Sequence, residues 1–207
     1  MDLWEYEKKL YKEGIEFVGG VDEVGRGPLV GNVVAACCVL PKDFVLDGLT
    51  DSKKLTEKKR EKYFDYIKDN CIAYGIGECS PKEIDELNIL EATKLAMKRA
   101  VDIVKSKINL QYILIDGNMK FDFDNYESIV KGDSKSISIA AASVLAKVTR
   151  DRQMYELDKK YKEYGFASHK GYPTKKHIEA INKYGLIDGY RKTYSPVMEV
   201  LNKEVNK

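Results

Sequence analysis

Four acidic residues in this chain are placed where they could bind a hard cation together. Asp22 and Glu23 follow one apolar, valine-rich segment, Asp116 follows another, and Asp133 lies in a turn beside Gly132. A sheet brings the ends of its strands together, and gathered carboxylates repel one another unless a cation such as Mg²⁺ or Mn²⁺ is bound. Taken singly, each acid also fits a surface carboxylate, a helix cap or the partner of a buried arginine. The combination predicts a metal site with oxygen ligands.

The first two acids are adjacent in the sequence, which restricts how they could share a site. Neighbouring residues of a strand point to opposite faces of the sheet, so Asp22 and Glu23 could meet one ion only where the chain bends or bulges. Glycines at positions 19, 20 and 25 permit such a bend. We therefore expect an irregular strand end at this position.

A glycine-flanked arginine, Gly25-Arg26-Gly27, follows these acids directly. A Gly-x-Gly turn after a strand could hold a dinucleotide pyrophosphate, but that fingerprint requires a helix next, and here Pro28 leads into another apolar segment. The arrangement favours backbone amides and a guanidinium brought close to a phosphate or sugar. A tight turn with an exposed arginine is the alternative interpretation.

A second polar cluster, His169, Lys170 and Tyr172, lies in a loop near the C-terminus. An imidazole, an ammonium and a phenol within four residues could hold a phosphate and stack on a sugar. The loop also resembles a turn in which Pro173-Thr174 caps the next helix, and the two roles are compatible. His169 and His177 are the only histidines of the chain, so a metal-free ribonuclease with paired histidines would need both.

Apolar periodicity predicts an α/β fold that positions these residues. The predicted strands are 15–21, 29–40, 71–77, 112–115 and 126–130, and the predicted helices are 56–69, 81–107, 139–161 and 175–184. The second helix begins with a capping box at Ser80 and Glu83. We expect a loop at 165–174 and an irregular tail after the last helix. Residues 1–165 should form the core, and residues 166–207 a small helical C-terminal appendage packed on it.

Composition bounds the class of protein. The chain has 207 residues, of which 43% are hydrophobic and 33% charged, as in one folded domain rather than a disordered, collagen-like or coiled-coil protein. The N-terminus lacks the apolar core of a secretion signal, and no apolar segment is long enough to cross a membrane, so we expect a cytoplasmic protein. The four cysteines form no C-x-x-C pattern and are expected to be reduced, mostly buried packing residues rather than metal ligands.

Charge is distributed unevenly along the chain. Residues 131–207 contain 16 Lys and Arg but 9 Asp and Glu, although the net charge of the whole chain is only +2. A basic C-terminal third fits a surface that binds a polyanion. Lysine-rich helix faces exposed to water would give the same count, so charge alone does not decide between them.

Two long segments of the chain are highly specific: VDEVGRGPL at 21–29 and AAASVLAKVTRD at 140–151. Shorter segments accompany them, namely DSKKL at 51–55, IDG at 115–117, KGDS at 131–134, GF at 165–166 and HKGYPT at 169–174. In all of these the chain resembles ribonuclease HII, a family of the ribonuclease H-like superfamily. Asn32, where proline is expected, and Cys37-Cys38, in place of smaller or aliphatic residues, depart from the pattern.

The resemblance implies a mixed five-stranded sheet flanked by helices, with a helical C-terminal segment that closes the substrate groove. It also implies two divalent ions, Mn²⁺ or Mg²⁺, during catalysis. The implied catalytic and metal-binding residues are Asp22, Glu23, Asp116 and Asp133. The implied substrate-binding residues are Gly25, Arg26, Gly27 and Tyr172, to which we add Lys53, His169 and Lys170.

The activity implied by the resemblance is an endonuclease that cuts the RNA strand of RNA/DNA hybrids and single ribonucleotides within duplex DNA. One ion would activate water and the other would stabilise the leaving 3′ oxygen, leaving 5′-phosphate and 3′-hydroxyl ends. We expect a monomer that acts on nucleic acid and not at a membrane, and the sequence indicates no protein partner. The sister family, ribonuclease HIII, typically carries an added N-terminal domain, and Asp22 lies too near the start for one.

Two other function classes remain open on sequence alone. A catalytically silent RNA-binding module of the same fold would bind without cleaving in Mg²⁺ or Mn²⁺. A Mg²⁺-dependent phosphotransferase would need a phosphate-binding glycine loop that leads into a helix, which Gly25-Arg26-Gly27-Pro28 does not provide.

Overall fold

The computed structural model describes residues 2–205 and shows five strands and eight α-helices in this part of the chain. The strands are β1 (Val18–Val24), β2 (Val33–Val39), β3 (Ala73–Cys79), β4 (Tyr112–Asp116) and β5 (Tyr126–Ile129). The helices are α1 (Glu5–Lys12), α2 (Glu57–Asn70), α3 (Pro81–Leu87), α4 (Ile89–Lys105), α5 (Ile137–Lys160), α6 (Phe166–His169), α7 (Lys175–Tyr184) and α8 (Ser195–Val205). Short 3-10 turns occur at Ser52–Lys54, Gly132–Ser134 and Lys162–Tyr164.

The five strands form one mixed sheet in the order β3-β2-β1-β4-β5, which confirms the predicted fold class. β1, β2 and β3 pair antiparallel, whereas β4 pairs parallel with both β1 and β5. Because β1 and β4 are parallel, their carboxyl ends lie at the same edge of the sheet. Asp22 and Asp116 therefore lie at neighbouring strand ends, although 94 positions separate them in the sequence.

Each face of the sheet is covered by a long helix. α4 packs on one face, over Val21, Val33 and Ile115, and α5 packs on the other. The first half of α5 is buried nearly all round because it lies between the sheet and α2. Its close approach depends on Gly20, where a Cβ atom would lie 2.0 Å from the backbone carbon of Ser138.

Several predicted elements were wrong, among them the loop expected at 165–174, which contains the short helix α6. The predicted helix 81–107 is two helices, since Asn88 adopts φ of 73° and its side-chain oxygen accepts hydrogen bonds from the first amides of α4. Asparagine tolerates this left-handed conformation better than most residues. The tail expected to be irregular contains α8, which buries Val197 and Val200. Helix α1 was not predicted, although it buries Leu10 against the sheet.

The predicted strand 29–40 begins only at Val33. The residues before Val33 turn away from the sheet and contact the C-terminal segment. The Leu29 amide donates to the Gly171 carbonyl at 2.8 Å, and the Leu29 carbonyl accepts from the Arg191 amide at 2.8 Å. Leu29 and Val30 also pack in an apolar cluster with α7 and α8. The C-terminal segment therefore lies directly against the loop that follows the acids.

Asn32, the residue that departs from the family pattern, has specific polar partners. Its side-chain amide donates to Glu78 Oε2 at 2.6 Å, and Gln153 donates to Glu78 Oε1 at 2.8 Å. These contacts join β3 and α5 to the loop before β2. The other departure, Cys37-Cys38, is wholly buried in β2, as expected for packing residues. No helix within residues 2–205 is long and apolar enough to span a bilayer.

Candidate active site

Three of the four predicted acids converge at the carboxyl edge of the sheet. One carboxylate oxygen from each of Asp22, Glu23 and Asp116 lies within 4.8 Å of the other two. Asp22 and Glu23 lie near the end of β1, and Asp116 is the last residue of β4. Groups this close can supply oxygen ligands to one hard cation.

Asp22 and Glu23 share this site without the bend that the sequence led us to expect. The pairing of β1 with β2 continues without a bulge from Gly19↔Val39 to Val24↔Val34. The pairing of β1 with β4, by contrast, ends at Val21↔Ile115. Beyond that point β1 has no neighbour on this side, so side chains from its two opposite faces can turn into the same open space. The expectation of an irregular strand was wrong because the early end of β4 makes room instead.

Asp133 lies farther from this trio and approaches it from the turn before α5. The turn is attached to β4 because Gly132 donates its backbone N–H to Asp116 Oδ1 at 2.6 Å. Asp133 lines a cavity of about 250 Å³ together with Asp22 and Glu23. Asp51, which sequence reasoning placed only within a family segment, lines the same cavity.

Burial and mutual repulsion dominate the electrostatics of the acidic cluster. Burial raises the pKa of Asp22 well above its ordinary value, and the negative charges of Glu23 and Asp116 add to the effect. Burial also raises the pKa of Glu23, against the positive charge of Arg26. Glu23 Oε2 is buried and has no hydrogen-bond partner among residues 2–205. A partnerless buried carboxylate oxygen among like charges fits a divalent cation.

Metal binding to this cluster should weaken as the pH falls through about 6. Burial, assisted by the negative charges of Asp51 and Asp116, raises the pKa of Asp133 to about 6, so a proton competes with metal below that pH. If Asp133 is a ligand, competition at this one group makes the Mn²⁺ affinity about tenfold lower at pH 5 than at pH 7. Calorimetric titration with Mn²⁺ at the two pH values measures this ratio.

Asp133→Asn serves as the comparison for that titration: it should bind Mn²⁺ more weakly at pH 7 and show a smaller change with pH. Equal affinities of the unmodified protein at pH 5 and pH 7 would contradict the role of Asp133.

In the metal-free protein the raised pKa of Asp133 also makes the free energy of unfolding depend on pH. The folded chain holds this proton more tightly than the unfolded chain, so the contribution of Asp133 to stability declines as pH rises from 3.8 to about 6.

The Gly25-Arg26-Gly27 loop is shaped by a buried arginine that sequence reasoning missed. Gly25 has φ of 95°, a backbone conformation that disfavours a side chain. A Cβ atom there would also lie 2.3 Å from Arg150 Nε, so it would clash with the arginine. Arg150 donates to the carbonyl oxygens of Asn32, Val30 and Lys170. It therefore joins the segment before β2 to the C-terminal loop. Its position within the AAASVLAKVTRD segment was the available signal.

A second buried arginine, Arg191, holds the same loop from the other side. It donates to the carbonyl oxygens of Gly25 at 2.6 Å, Arg26 at 3.0 Å and Gly31 at 2.8 Å, and to the hydroxyl of Tyr194 at 3.1 Å. Its side chain is fully buried. No local pattern in the sequence distinguishes it from a surface arginine.

The exposed part of the loop faces the acids on one side and Tyr172 on the other. Arg26 Nη1 lies 3.7 Å from Glu23 Oε1, and 44% of the Arg26 side chain is exposed. A Cβ atom built on Gly27 would lie 3.3 Å from Tyr172 Cε1, so the tyrosine ring lies directly over this glycine. The structure thus brings Arg26, Gly27 and Tyr172 together beside the carboxylates.

Tyr172 is positioned by its backbone while its ring remains accessible. Its carbonyl oxygen accepts from His177 Nδ1 at 2.9 Å, and the preceding Gly171 carbonyl accepts from Leu29. The ring is exposed and lines the acidic cavity. These contacts orient the phenol toward that cavity.

The two histidines stack on each other, with ring centroids 4.3 Å apart. Neither lines the acidic cavity, and both form hydrogen bonds that hold the C-terminal loop. His169 accepts from the Gly171 amide and is bonded to the Tyr164 carbonyl. His177 is wholly buried between the Tyr172 carbonyl and the Tyr190 hydroxyl, and burial lowers its pKa to about 4. A buried, neutral imidazole with both nitrogens engaged is unsuited to the acid–base work of a paired-histidine ribonuclease.

The lysines predicted to contact substrate lie in different surroundings. Lys53 lines the acidic cavity, where burial disfavours its charge but the carboxylates of Asp22 and Asp51 raise its pKa overall. Lys170 is turned away, since its ammonium donates to the Ala167 carbonyl at 2.5 Å and lies over the Tyr155 ring. Lys147, which was not predicted, lines the cavity and pairs with Asp151.

Comparisons with known proteins agree on one family. The sequence model of the family described as Ribonuclease HII matches residues 19–195. The ribonuclease HII of Caldanaerobacter subterraneus subsp. tengcongensis is 58% identical over 190 residues, which is 91% of this chain and 78% of that protein.

Two solved structures extend the comparison to the fold. The ribonuclease H2 from Pyrococcus horikoshii OT3 superposes with a TM-score of 0.75 at 30% identity, covering 92% of this chain and 100% of that one. Bst-RNase HIII in complex with Mn²⁺ superposes with a TM-score of 0.71 at 16% identity, covering 92% of this chain and 71% of that one. The second likeness concerns the fold alone.

Proposed function

Since this chain belongs to the ribonuclease HII family, metal-dependent endoribonucleases that cut the RNA strand of RNA/DNA hybrids, we propose that it also cuts at single ribonucleotides embedded in duplex DNA. The observation that carries the proposal is that Tyr172, whose ring lies over Gly27, lines one cavity with Asp22 and Glu23, the two acids that Asp116 joins in the acidic trio. A site that recognises a single ribose in a DNA duplex needs its recognition groups beside its reactive centre.

The proposed metal ligands are Asp22, Glu23, Asp116 and Asp133, with two divalent ions, Mg²⁺ or Mn²⁺, as cofactors. The close carboxylates and the partnerless Glu23 oxygen support this assignment. When bound, such ions activate the attacking water and stabilise the leaving 3′ oxygen. A neighbour of the same fold, Bst-RNase HIII, was solved with Mn²⁺.

The chain's own residues would select the sugar to be cut. In a hybrid duplex the wide minor groove displays the 2′-hydroxyl that distinguishes RNA from DNA. The bare, exposed backbone of Gly27 allows close approach to that hydroxyl, and the exposed guanidinium of Arg26 can hold the adjacent phosphate. Gly25 is buried against Arg150 and shapes the loop. The phenol of Tyr172 can donate a hydrogen bond and stack on the next sugar. Lys53 is placed to contribute a positive charge at the same cavity.

Residues 166–207 would form one wall of the substrate groove on the core of residues 1–165. Support comes from the contacts of this segment with the Gly25–Gly27 loop through Arg191 and Leu29. We propose that the protein acts as a monomer, since β1 and β4 of a single chain already bring the three closest acids together. Direct substrate contacts by His169 and Lys170 remain predictions, which their present intramolecular bonds do not favour.

The test of the proposed function is a DNA duplex with one embedded ribonucleotide, incubated with Mg²⁺ or Mn²⁺. We expect one cut at that site, with 5′-phosphate and 3′-hydroxyl ends, and full inhibition by EDTA. Binding without cleavage would favour the silent RNA-binding module instead. A 2′,3′-cyclic phosphate end, or activity in EDTA, would contradict the metal-dependent mechanism.

Tyr172 should matter most for the single-ribonucleotide substrate. Tyr172→Phe keeps the ring and removes one hydrogen bond, worth about 0.5 to 1.5 kcal/mol, or up to about tenfold in rate. Tyr172→Ala removes the ring as well and should reduce cleavage of a lone ribonucleotide further than Phe does, and more than cleavage of a long hybrid. Because 41% of Tyr172 is exposed, neither change should lower the melting temperature much. Equal losses on both substrates, together with a lowered melting temperature, would indicate a packing role.

A further inference from the structure

Glu7 on α1 is a buried acid that the proposed chemistry does not use. Glu7 is fully buried, and burial raises the pKa of its carboxyl group. Oε1 accepts from the Ser136 hydroxyl at 2.6 Å and from the Ser138 amide at 3.1 Å. A buried carboxyl group is costly unless it is hydrogen-bonded. These contacts lie more than 125 positions away in the sequence, at the first turn of α5.

Ser136 is the N-cap of α5, so Glu7 completes a cap made by two segments. The Ser136 hydroxyl accepts from the Ile139 amide and donates to Glu7, while Glu7 accepts from the Ser138 amide directly. Amides of the first helical turn have no partner within the helix, and a negative group there is favoured by the helix dipole. Backbone contact between Leu3 and Ile137 holds the two segments together.

The capped end of α5 is also the end of the turn that carries Asp133. The amide of Ser136 donates to the Gly132 carbonyl at 2.8 Å, and the Gly132 amide donates to Asp116 Oδ1 at 2.6 Å. A continuous set of hydrogen bonds thus runs from Glu7 through Ser136 and Gly132 to Asp116. Asp133 lies inside the turn that this set closes.

We propose that Glu7 is a positioning residue that holds the Asp133 turn in register with the acidic trio through its hydrogen bonds to Ser136 and Ser138. Glu7 touches neither substrate nor metal. The inference rests on the proposed role of Asp133 as a metal ligand. Loss of the Glu7 contacts frees the end of the turn, and the ligands must then be ordered at the moment of metal binding.

The test is calorimetric titration of the full chain with Mn²⁺ alone, alongside the melting temperature of the metal-free protein. Glu7→Leu fills the site but removes both hydrogen bonds, and should weaken Mn²⁺ binding about tenfold, as loss of a group that orients metal ligands typically does. Glu7→Gln keeps an acceptor oxygen and should bind Mn²⁺ within about threefold of the unmodified protein. Glu5→Gln, on the exposed side of the same helix, is the matched control and should change nothing.

A merely structural role would lower the melting temperature of Glu7→Leu and leave its Mn²⁺ affinity unchanged, which would overturn the inference. If Glu7→Leu does not fold, Ser136→Ala removes the same hydrogen bond from the other partner, and its Mn²⁺ affinity tests the inference in the same way.

Asp133→Asn distinguishes the proposed ligand role of Asp133 from the proposed positioning role of Glu7. If Asp133→Asn binds Mn²⁺ as the unmodified protein does, the proposed ligand role fails and the inference with it. If only Asp133→Asn weakens binding, the Glu7 inference alone is wrong.

Discussion

Asp116→Asn should fold normally and lose hydrolysis of both long hybrids and single ribonucleotides. The substituted amide side chain would keep the oxygen that accepts from the Gly132 amide at 2.6 Å, so the turn before α5 stays attached to β4. What disappears is one negative charge of the acidic trio. Stabilisation of the transition state by metal is worth several kcal/mol, so we expect a rate loss of about 10³-fold or more.

The metal-free form of this variant should be at least as stable as the unmodified protein, because a repulsive charge has been removed from the cluster. Asp124→Asn, an exposed acid in the loop after β4, is the matched control and should retain full activity. Cleavage rates in Mg²⁺ and melting temperatures in EDTA measure the two effects. Undiminished turnover by Asp116→Asn would remove Asp116 from the metal site.

Arg191→Met should be the most destabilising of the substitutions considered, although Arg191 touches no acid of the site. The change keeps most of the side-chain volume but leaves the carbonyl oxygens of Gly25 and Gly31 without their Arg191 donor, whereas the Arg26 carbonyl still accepts from the Tyr194 hydroxyl. Each buried polar group left unpaired costs about 1 to 3 kcal/mol, so we expect a loss of about 3 kcal/mol or more. For a chain of this length that lowers the melting temperature by roughly 6 to 12 °C.

Activity of Arg191→Met, measured well below its melting temperature, should fall more on single ribonucleotides than on long hybrids, because the Gly25–Gly27 loop loses its support. The neighbouring Lys192→Met removes an exposed positive charge and is the control for charge and side-chain type. A melting temperature equal to that of Lys192→Met would show that the buried guanidinium does not hold the loop.

Local patterns were sufficient for the elements whose signals lie within a few residues. The capping box at Ser80 is present as predicted, with Glu83 bonded back to the Ser80 amide, because both partners lie in one helical turn. The continuous apolar sequences of β2 and β4 likewise indicate burial directly. The helix α8 was missed because its packed apolar cluster arises only when neighbouring segments are in place. The break at Asn88 rests on a local cap, in which its side-chain oxygen accepts from the Leu90 and Glu91 amides, and no apolar periodicity marks it.

The residues of the candidate site also fall into those that the sequence identifies and those that only the fold reveals. Its acidic residues and the glycine-flanked arginine stand out in the sequence by type and spacing, whereas Arg191 and Glu7 do not. Both of these are charged residues that look like surface groups until the fold buries them. The carbonyl oxygens that Arg191 binds and the Ser136 and Ser138 groups that Glu7 binds lie more than 100 positions away, which no periodicity encodes.

By itself the sequence determined the chemistry available to this protein: carboxylates at the ends of apolar strands, a bare backbone loop with a guanidinium, and a loop phenol. Residue type and short-range periodicity are properties of a few neighbouring positions, so they can be read without a fold. Only the tertiary structure decided which of these groups meet. The parallel pairing of β1 with β4 brings Asp116 beside Asp22, and the early end of β4 lets Glu23 join them from the opposite face. Burial, which raises the pKa values of Asp22 and Glu23, depends on the packing of the whole chain around them.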